Sequence, residues 1–283
     1  MAFNLRTINN VTPTVAIERE SRREEGMTDV SKTLFLPLFF RAQETREGGI
    51  INDKEAVRII DSLHYENGNF LLDREMQLVI ALRTVVLDDI VRRYIAEMHD
   101  ERRQPVIVNL GAGLDTREQR FPEATWYQVD LESPIRLRRQ YLPESPATTI
   151  AASIFEDGWS DGIRHHDHVL FIVEGVLMYF DEEMDHNFFR LLSRNFRESY
   201  VAFDALAKRY TSLHAHQSID VDKASFLCGV TNGNDVERWN LGFKTIEEYG
   251  YYQTYLDHYE QIKNRYRLIR FDATHKIYFL KRQ

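Results

Sequence analysis

The chain has 283 residues, of which 43% are hydrophobic and 28% charged, and its formal net charge at pH 7 is −8. These values are typical of a soluble globular protein long enough for one large domain or a domain with a cap. The negative charge disfavours nucleic acid and anionic membrane surfaces as partners, and a single cysteine excludes an internal disulfide framework.

The first part of the chain, residues 1–104, is predicted to form a helical cap. Residues 53–64 and 73–99 have the apolar spacing of amphipathic helices, and Gln104-Pro105 ends the helical region. The N-terminus lacks a signal-peptide core, and no stretch of the chain approaches the about 18 apolar residues of a membrane span. We therefore expect a cytoplasmic protein.

Strands and helices alternate through residues 105–204, with strands predicted at residues 106–110, 126–130, 148–153, 168–173 and 199–204. Asp181 is a good N-cap for the helix before the last strand. This alternation predicts an α/β protein with a mostly parallel sheet and helices on both faces.

The last residues of the chain, 266–283, are predicted to complete the sheet. Residues 266–271 and 276–281 have strand character and a short connection, which predicts an antiparallel hairpin. Residues 205–265 are expected to form a lid insertion that, together with the cap, covers the carboxyl ends of the strands. The whole chain is interpreted as one domain.

A glycine turn links the first two predicted strands. An apolar run leads into Gly111 and Gly113, and the second strand ends on Asp130, nineteen residues after Gly111. Glycines let backbone N–H groups approach a ligand closely, and an acid at the tip of the next strand can accept hydrogen bonds from both ribose hydroxyls. The spacing therefore predicts a nucleoside-binding βαβ unit.

The side chains of this turn indicate which nucleoside fits. Thr116 occupies the third glycine position of a dinucleotide fingerprint, no basic residue lies between Gly111 and Thr116, and Asp115 would repel a phosphate. A nucleoside that has a positive centre and no phosphates fits better, as S-adenosylmethionine does. Two other classes stay open: a nicotinamide-dependent oxidoreductase, which Asp130 would serve equally well, and a non-catalytic protein that binds a partner.

Two motifs of the chain resemble signatures of the leucine carboxyl methyltransferase family. They are Val-Asn-Leu-Gly-Ala-Gly-Leu-Asp-Thr-Arg at residues 108–117 and Glu-Gly-Val-Leu-Met-Tyr-Phe at residues 174–180. Further matches are Arg83-Thr84 ahead of Asp88-Asp89, and Arg41-Ala42 with Asp53 and Ala56. The chain from Thr33 onwards is similar to the bacterial branch of tetracenomycin-type polyketide O-methyltransferases.

The resemblance implies a class I S-adenosylmethionine-dependent methyltransferase with a Rossmann-like seven-stranded sheet and a helical lid. It implies that Arg83 binds the carboxylate of the cofactor, that Asp130 binds its ribose, and that Glu174 lies beside its amino or sulfonium end. Ser153 and Ile154 are expected to flank the adenine. The other residues expected to line the cofactor site are Gly111, Ala112, Gly113, Leu131 and Gly175.

The methyl acceptor is expected to be a small molecule, such as a polyketide-like or peptide natural product. A carboxylate acceptor is ionised near neutral pH and needs no general base, whereas a hydroxyl usually does. The sequence identifies no catalytic base, which favours a carboxylate over a hydroxyl. Methylation of a protein's C-terminal carboxylate is the alternative.

Tyr179 and His214 are the candidates for the substrate pocket. The tyrosines at positions 249, 251, 252, 255 and 259 are expected to pack the lid rather than line the pocket. His165, His166 and His168 precede a strand and are interpreted as loop residues, so no metal site is predicted. The oligomeric state stays open.

Overall fold

Seven strands form one sheet in the computed structural model, which describes residues 29–63, 73–163, 166–206, 229–230, 232–266 and 275–283. They are β1 (Val106–Leu110), β2 (Thr125–Asp130), β3 (Thr148–Ala151), β4 (Val169–Val173), β5 (Ser199–Leu206), β6 (Phe243–Gly250) and β7 (His275–Arg282). Their order is β3-β2-β1-β4-β5-β7-β6. The first five strands are parallel, and β7 is antiparallel to both of its neighbours. The predicted fold class is confirmed.

Helices surround this sheet: α1 (Asp29–Arg46), α2 (Lys54–Ser62), α3 (Arg74–Asp100), α4 (Arg117–Arg120), α5 (Glu132–Tyr141), α6 (Glu182–Asn195), α7 (Asn234–Glu237), α8 (Tyr251–Asp257) and α9 (Tyr259–Tyr266). Asp181 caps α6 as predicted, because its side chain accepts a hydrogen bond from the backbone N–H of Met184 at 2.8 Å. Within the described ranges, none of the helices combines the length and apolar composition needed to cross a bilayer.

The sheet is buried on both faces because successive strand residues point to opposite sides. On one face, Val108, Phe171 and Val201 pack in an apolar cluster with side chains of α6. On the other face, Ile107, Leu170 and Ala202 pack against side chains of α3. Since β1 and β4 lie side by side and their crossovers lead to opposite edges of the sheet, their carboxyl ends border the crevice where open α/β sheets bind ligands.

The antiparallel strand pair at the C-terminus differs in part from the prediction. The second predicted strand is confirmed as β7, but its hairpin partner is β6, not residues 266–271. Tyr266 ends α9, and residues 267–274 lie outside the described residues. Strand β6 falls within the predicted lid segment. It is an edge strand of largely polar residues with a bulge between Thr245 and Glu247, so the apolar alternation that marks a strand is broken.

Candidate functional site

The glycine turn after β1 has a backbone that only glycine adopts readily. Gly111 has φ +74° and Gly113 has φ +46°. A Cβ atom on Gly111 would lie 2.4 Å from Cγ2 of Val176, in the turn after β4. The backbone N–H groups of Gly111 and Ala112 both donate to the carbonyl oxygen of Val129, at 2.8 and 3.1 Å. The turn is therefore held tightly between the ends of β2 and β4.

Asp130 ends β2 directly beside this turn. Its Oδ2 accepts a hydrogen bond from the N–H of Gly113 at 2.8 Å, and its Oδ1 accepts one from the N–H of Leu131 at 2.7 Å. Partial burial raises the pKa of Asp130 above its usual value, while these two hydrogen bonds act in the opposite direction. Each carboxylate oxygen can accept a further hydrogen bond, and the neighbouring Leu131 is 59% exposed. The acid is thus fixed at an accessible edge of the sheet.

A second cluster lies at the carboxyl ends of β4 and β5. Nε of Arg83, on α3, lies 2.8 Å from Oε1 of Glu174, the first residue after β4. The NH1 group of Arg83 donates to Oδ2 of Asp204 at 3.0 Å, and Oδ1 of Asp204 accepts a hydrogen bond from Gly175 at 2.6 Å. Arg83 is therefore held between two carboxylates.

Sequence reasoning missed Asp204 as a residue of this cluster. It belongs to β5, all of whose residues are buried. A buried carboxylate is costly unless it is paired and hydrogen-bonded. An acid in a strand that otherwise reads as a core strand was therefore a usable signal, although it did not name Arg83 as the partner.

Glu174 is also bound by a second arginine, Arg117. The NH1 group of Arg117 lies 2.6 Å from Oε2 of Glu174 and 2.6 Å from Oδ2 of Asp115, and its Nε lies 2.8 Å from Oδ1 of Asp88. Burial by itself would raise the pKa of Glu174, but the charges of Arg117 and Arg83 hold it below its usual range. Glu174 is therefore an ionised carboxylate at neutral pH.

The ion pairs continue from Arg117 to the N-terminal helices. Arg120 donates to both oxygens of Asp88, at 2.9 and 3.0 Å, and its NH1 lies 3.2 Å from Oδ2 of Asp53. Asp53 pairs with Nε of Arg41 at 2.9 Å and accepts a hydrogen bond from the hydroxyl of Thr116 at 2.6 Å. One continuous network therefore joins all four of the sequence matches noted above.

We call this the arginine–carboxylate network. It comprises Arg41, Asp53, Arg83, Asp88, Asp115, Arg117, Arg120, Glu174 and Asp204. With every group ionised, its four arginines face five carboxylates, which leaves one net negative charge. The neighbouring Arg138–Glu118 ion pair is neutral and does not change this balance. The network thus has the sign that favours a ligand with one net positive charge.

The other predicted site residues that the structure describes lie around these two clusters. Gly175 has φ +69°, and a Cβ there would lie 3.4 Å from NH1 of Arg83. Ser153 follows β3 and is partly buried, while Ile154 and Ala112 are buried. Tyr179 is 37% exposed at the end of a short 3₁₀ turn, Leu177–Tyr179. His214 lies outside the described residues.

Two of the histidines before β4, His166 and His168, lie at the opposite end of the sheet. Nε2 of His168 is 2.9 Å from a carboxylate oxygen of Glu198, and His166 is 3.2 Å from the hydroxyl of Tyr127. His165 is outside the described residues. The residues that the structure describes contain no group of three potential metal ligands.

Comparison with known proteins gives one family and several distant structures. A family model described as "Leucine carboxyl methyltransferase" matches residues 35–193, more than half of the chain. This segment contains Arg83, the glycine turn, Asp130 and Glu174, but not Asp204. No curated protein sequence matches the chain.

Three of the similar solved structures are the following. LepI in complex with S-adenosylmethionine is 9% identical over 68% of this chain and 46% of its own, with a TM-score of 0.45. Magnesium protoporphyrin IX methyltransferase from Synechocystis PCC 6803 with bound S-adenosylmethionine is 11% identical over 92% of this chain and 100% of its own, with a TM-score of 0.48. The N-methyltransferase NodS from Bradyrhizobium japonicum WM9 is 10% identical over 71% and 96%, with a TM-score of 0.44. The chain spans less than half of the length of LepI.

Proposed function

Because the chain belongs to the leucine carboxyl methyltransferase family and is therefore an S-adenosylmethionine-dependent methyltransferase, we propose that it methylates a carboxylate of a small molecule. The observation that carries this proposal is the pairing of Glu174 with Arg83 and Arg117, which makes this carboxylate a weak base, as set out below. Asp130 is compatible with either class of cofactor, and membership of this family favours S-adenosylmethionine over a nicotinamide cofactor.

The proposed cofactor position follows from the two clusters. Gly111 and Gly113 hold the turn in a positive-φ conformation beside Asp130, and Asp130 accepts hydrogen bonds from the ribose hydroxyls. Glu174, ionised at neutral pH, faces the amino end, and Arg83 faces the carboxylate. Bound S-adenosylmethionine supplies a methyl carbon activated by a positive sulfur.

The net charge of the arginine–carboxylate network supports the same placement. S-adenosylmethionine carries an ammonium, a carboxylate and a sulfonium, so its net charge is positive, whereas S-adenosylhomocysteine has lost the sulfonium charge. A network with one excess negative charge attracts the methyl donor more strongly than the product. The chain's own charges would therefore favour donor binding and product release.

The choice of a carboxylate acceptor rests on Glu174 and two phenols of the same cluster. Burial raises the pKa of Asp204, the other acid there, but both of its oxygens already accept hydrogen bonds, from Arg83 and Gly175. The arginines hold the pKa of Glu174 below its usual range, which makes this carboxylate a weak base. Burial raises the pKa of Tyr179 and of Tyr251, so both phenols stay protonated at neutral pH. A carboxylate acceptor needs no base from these residues, whereas a hydroxyl acceptor would need one.

Methyl-labelled donor distinguishes the acceptor classes. The purified protein is incubated with the labelled donor and a small-molecule extract, and in parallel with a cell lysate. We expect the label in small molecules and its release as methanol by mild base, because methyl esters hydrolyse and methyl ethers do not. Base-stable label would identify a hydroxyl acceptor instead. Label in protein would support the alternative acceptor, a C-terminal carboxylate of a protein.

Asp130→Ala is expected to weaken binding of S-adenosylhomocysteine by about 10–100-fold. The variant loses charge-assisted hydrogen bonds to the ribose worth about 1.5–3 kcal/mol. Isothermal titration calorimetry gives the two dissociation constants. Asp89→Ala, at a half-exposed position on α3, is the control and should bind like the wild type. Unchanged affinity in Asp130→Ala would refute the ribose assignment.

A further inference from the structure

Tyr251 carries a buried hydroxyl group that the proposed function has not used. The residue begins α8, it is 1% exposed, and its hydroxyl has no hydrogen-bond partner among the described residues. A buried hydroxyl without a partner costs free energy, so its presence needs an explanation. The expectation that this tyrosine merely packs the lid accounts for its ring but not for its oxygen.

Tyr251 packs on the face of the sheet that α3, the helix of Arg83, covers, and Asp204 points to the same face. Asp204 follows Ala202 by two residues in β5, so both side chains point to the face that α3 covers. Ile277 pairs with Asp204 across β5 and β7, and Tyr251 belongs to the same apolar cluster as Ile277. The ring of Tyr251 stacks on that of His275, the first residue of β7, with 5.7 Å between ring centroids.

The charges that act on the Tyr251 phenol identify its surroundings. After burial itself, the groups that shift its pKa are Asp204, Arg83, Glu174 and Arg117, in that order. All four belong to the arginine–carboxylate network, at the end proposed to face the amino-acid part of the methyl donor. These charges, together with the packing of the ring beside Ile277, place the phenol on the side of the network that holds Arg83 and Asp204.

The guanidinium of Arg83 by itself is not sufficient to bind another carboxylate. Its Nε and NH1 already face Glu174 and Asp204, so these three groups together carry one net negative charge. A carboxylate arriving there would be repelled unless a further hydrogen-bond donor were present. A phenol O–H supplies such a donor without adding charge.

We infer that the Tyr251 hydroxyl donates a hydrogen bond to the carboxylate of the bound methyl donor, alongside Arg83. This inference rests on the proposed cofactor position. It assigns a ligand contact to a residue outside the segment that the family model matches, residues 35–193. It also makes α8, in the C-terminal part of the chain, a component of the cofactor site.

Tyr251→Phe tests this assignment with two ligands. One is S-adenosylhomocysteine, and the other is its descarboxy analogue, which keeps the amine and lacks the carboxylate. We expect the variant to bind S-adenosylhomocysteine about tenfold more weakly and the analogue as well as the wild type does. The thermal midpoint of the free protein should stay the same or rise, because the lost hydroxyl had no partner.

Tyr249→Phe is the matched control. Tyr249 lies two residues earlier, and its hydroxyl accepts a hydrogen bond from Arg93 on the outside of the molecule. This variant should bind both ligands like the wild type.

Four outcomes would overturn the inference. Equal weakening for both ligands would assign the hydroxyl to another part of the ligand or to the fold. Unchanged affinity for both ligands, or an effect confined to the KM of the acceptor, would exclude contact with the donor carboxylate. If the wild type itself failed to bind S-adenosylhomocysteine, the proposed cofactor position would fail as well, which separates the two failures.

Discussion

Replacing Arg117 with alanine is expected to lower the free energy of unfolding by about 3–5 kcal/mol, because removing one partner leaves buried charges uncompensated. The side chain is 1% exposed and binds three carboxylates, those of Asp88, Asp115 and Glu174. No other arginine of the network lies between as many acids. Urea denaturation at pH 7, followed by circular dichroism, measures the loss.

Two further variants complete this experiment: one separates the effect of charge from that of volume, and the other is a control at an exposed arginine. Arg117→Met keeps most of the buried volume and removes the charge, so it should lose nearly as much stability as Arg117→Ala. Arg92→Ala removes an arginine that is 63% exposed and pairs with Asp89; we expect a change within about 0.5 kcal/mol. A loss below about 1 kcal/mol in both Arg117 variants would show that the ion pairs contribute little.

The stability loss of Arg117→Ala should depend on pH in a definite direction. Burial favours protonation of Asp115 and Glu174, but in the wild type the charge of Arg117 keeps the pKa of both below the usual range. These lowered values stabilise the wild type above the unfolded-state pKa, and this contribution is lost as the pH falls through the folded-state pKa. Without Arg117, burial raises both pKa values. Protonation of the two carboxylates then removes unpaired buried charge from the variant. The stability difference should therefore narrow as the pH is lowered from 7 towards about 4.

Gly111→Ala is expected to destabilise the protein by about 2–5 kcal/mol, as the sum of two effects. Alanine at φ +74° has a backbone cost of about 1–2 kcal/mol. Its Cβ would also lie 2.4 Å from Cγ2 of Val176, and such overpacking costs about 1–3 kcal/mol. The displaced turn should also weaken binding of S-adenosylhomocysteine.

The chain provides a control for each effect. Gly48 has φ +63° and no atom within 4 Å of an added Cβ, so Gly48→Ala reports the backbone cost alone. Adding Val176→Ala to Gly111→Ala removes the colliding methyl group and should recover the steric part. If Gly48→Ala and Gly111→Ala proved equally destabilising, close approach to Val176 would not be the reason for glycine here.

The elements that the sequence predicted best are those determined by neighbouring residues. Strand β1 has the predicted bounds, residues 106–110, and Asp181 caps α6 through residues three apart. The glycine turn and Asp130 were also predictable, because one βαβ unit places them together. In each case the pattern and the structure it forms lie within a short stretch of chain.

The features that were missed depend on distant residues. Arg83 and Asp204 are separated by 121 positions, and no local pattern pairs them. Arg117 belongs to the glycine motif, but no local pattern indicates that the fold buries it among acids. Tyr251 acquires its position only when β6 and β7 pair, and β6 itself lacked a clear strand pattern.

The shared ion pairs also limit how this protein can diverge. A mutation of Asp88 would leave two arginines, Arg117 and Arg120, each short of a partner, and the loss of either arginine would remove one partner from at least two acids. Homologous chains should therefore exchange these positions jointly, through compensating substitutions in segments far apart in the gene. The motifs would then persist together in evolution because each is needed to neutralise the others.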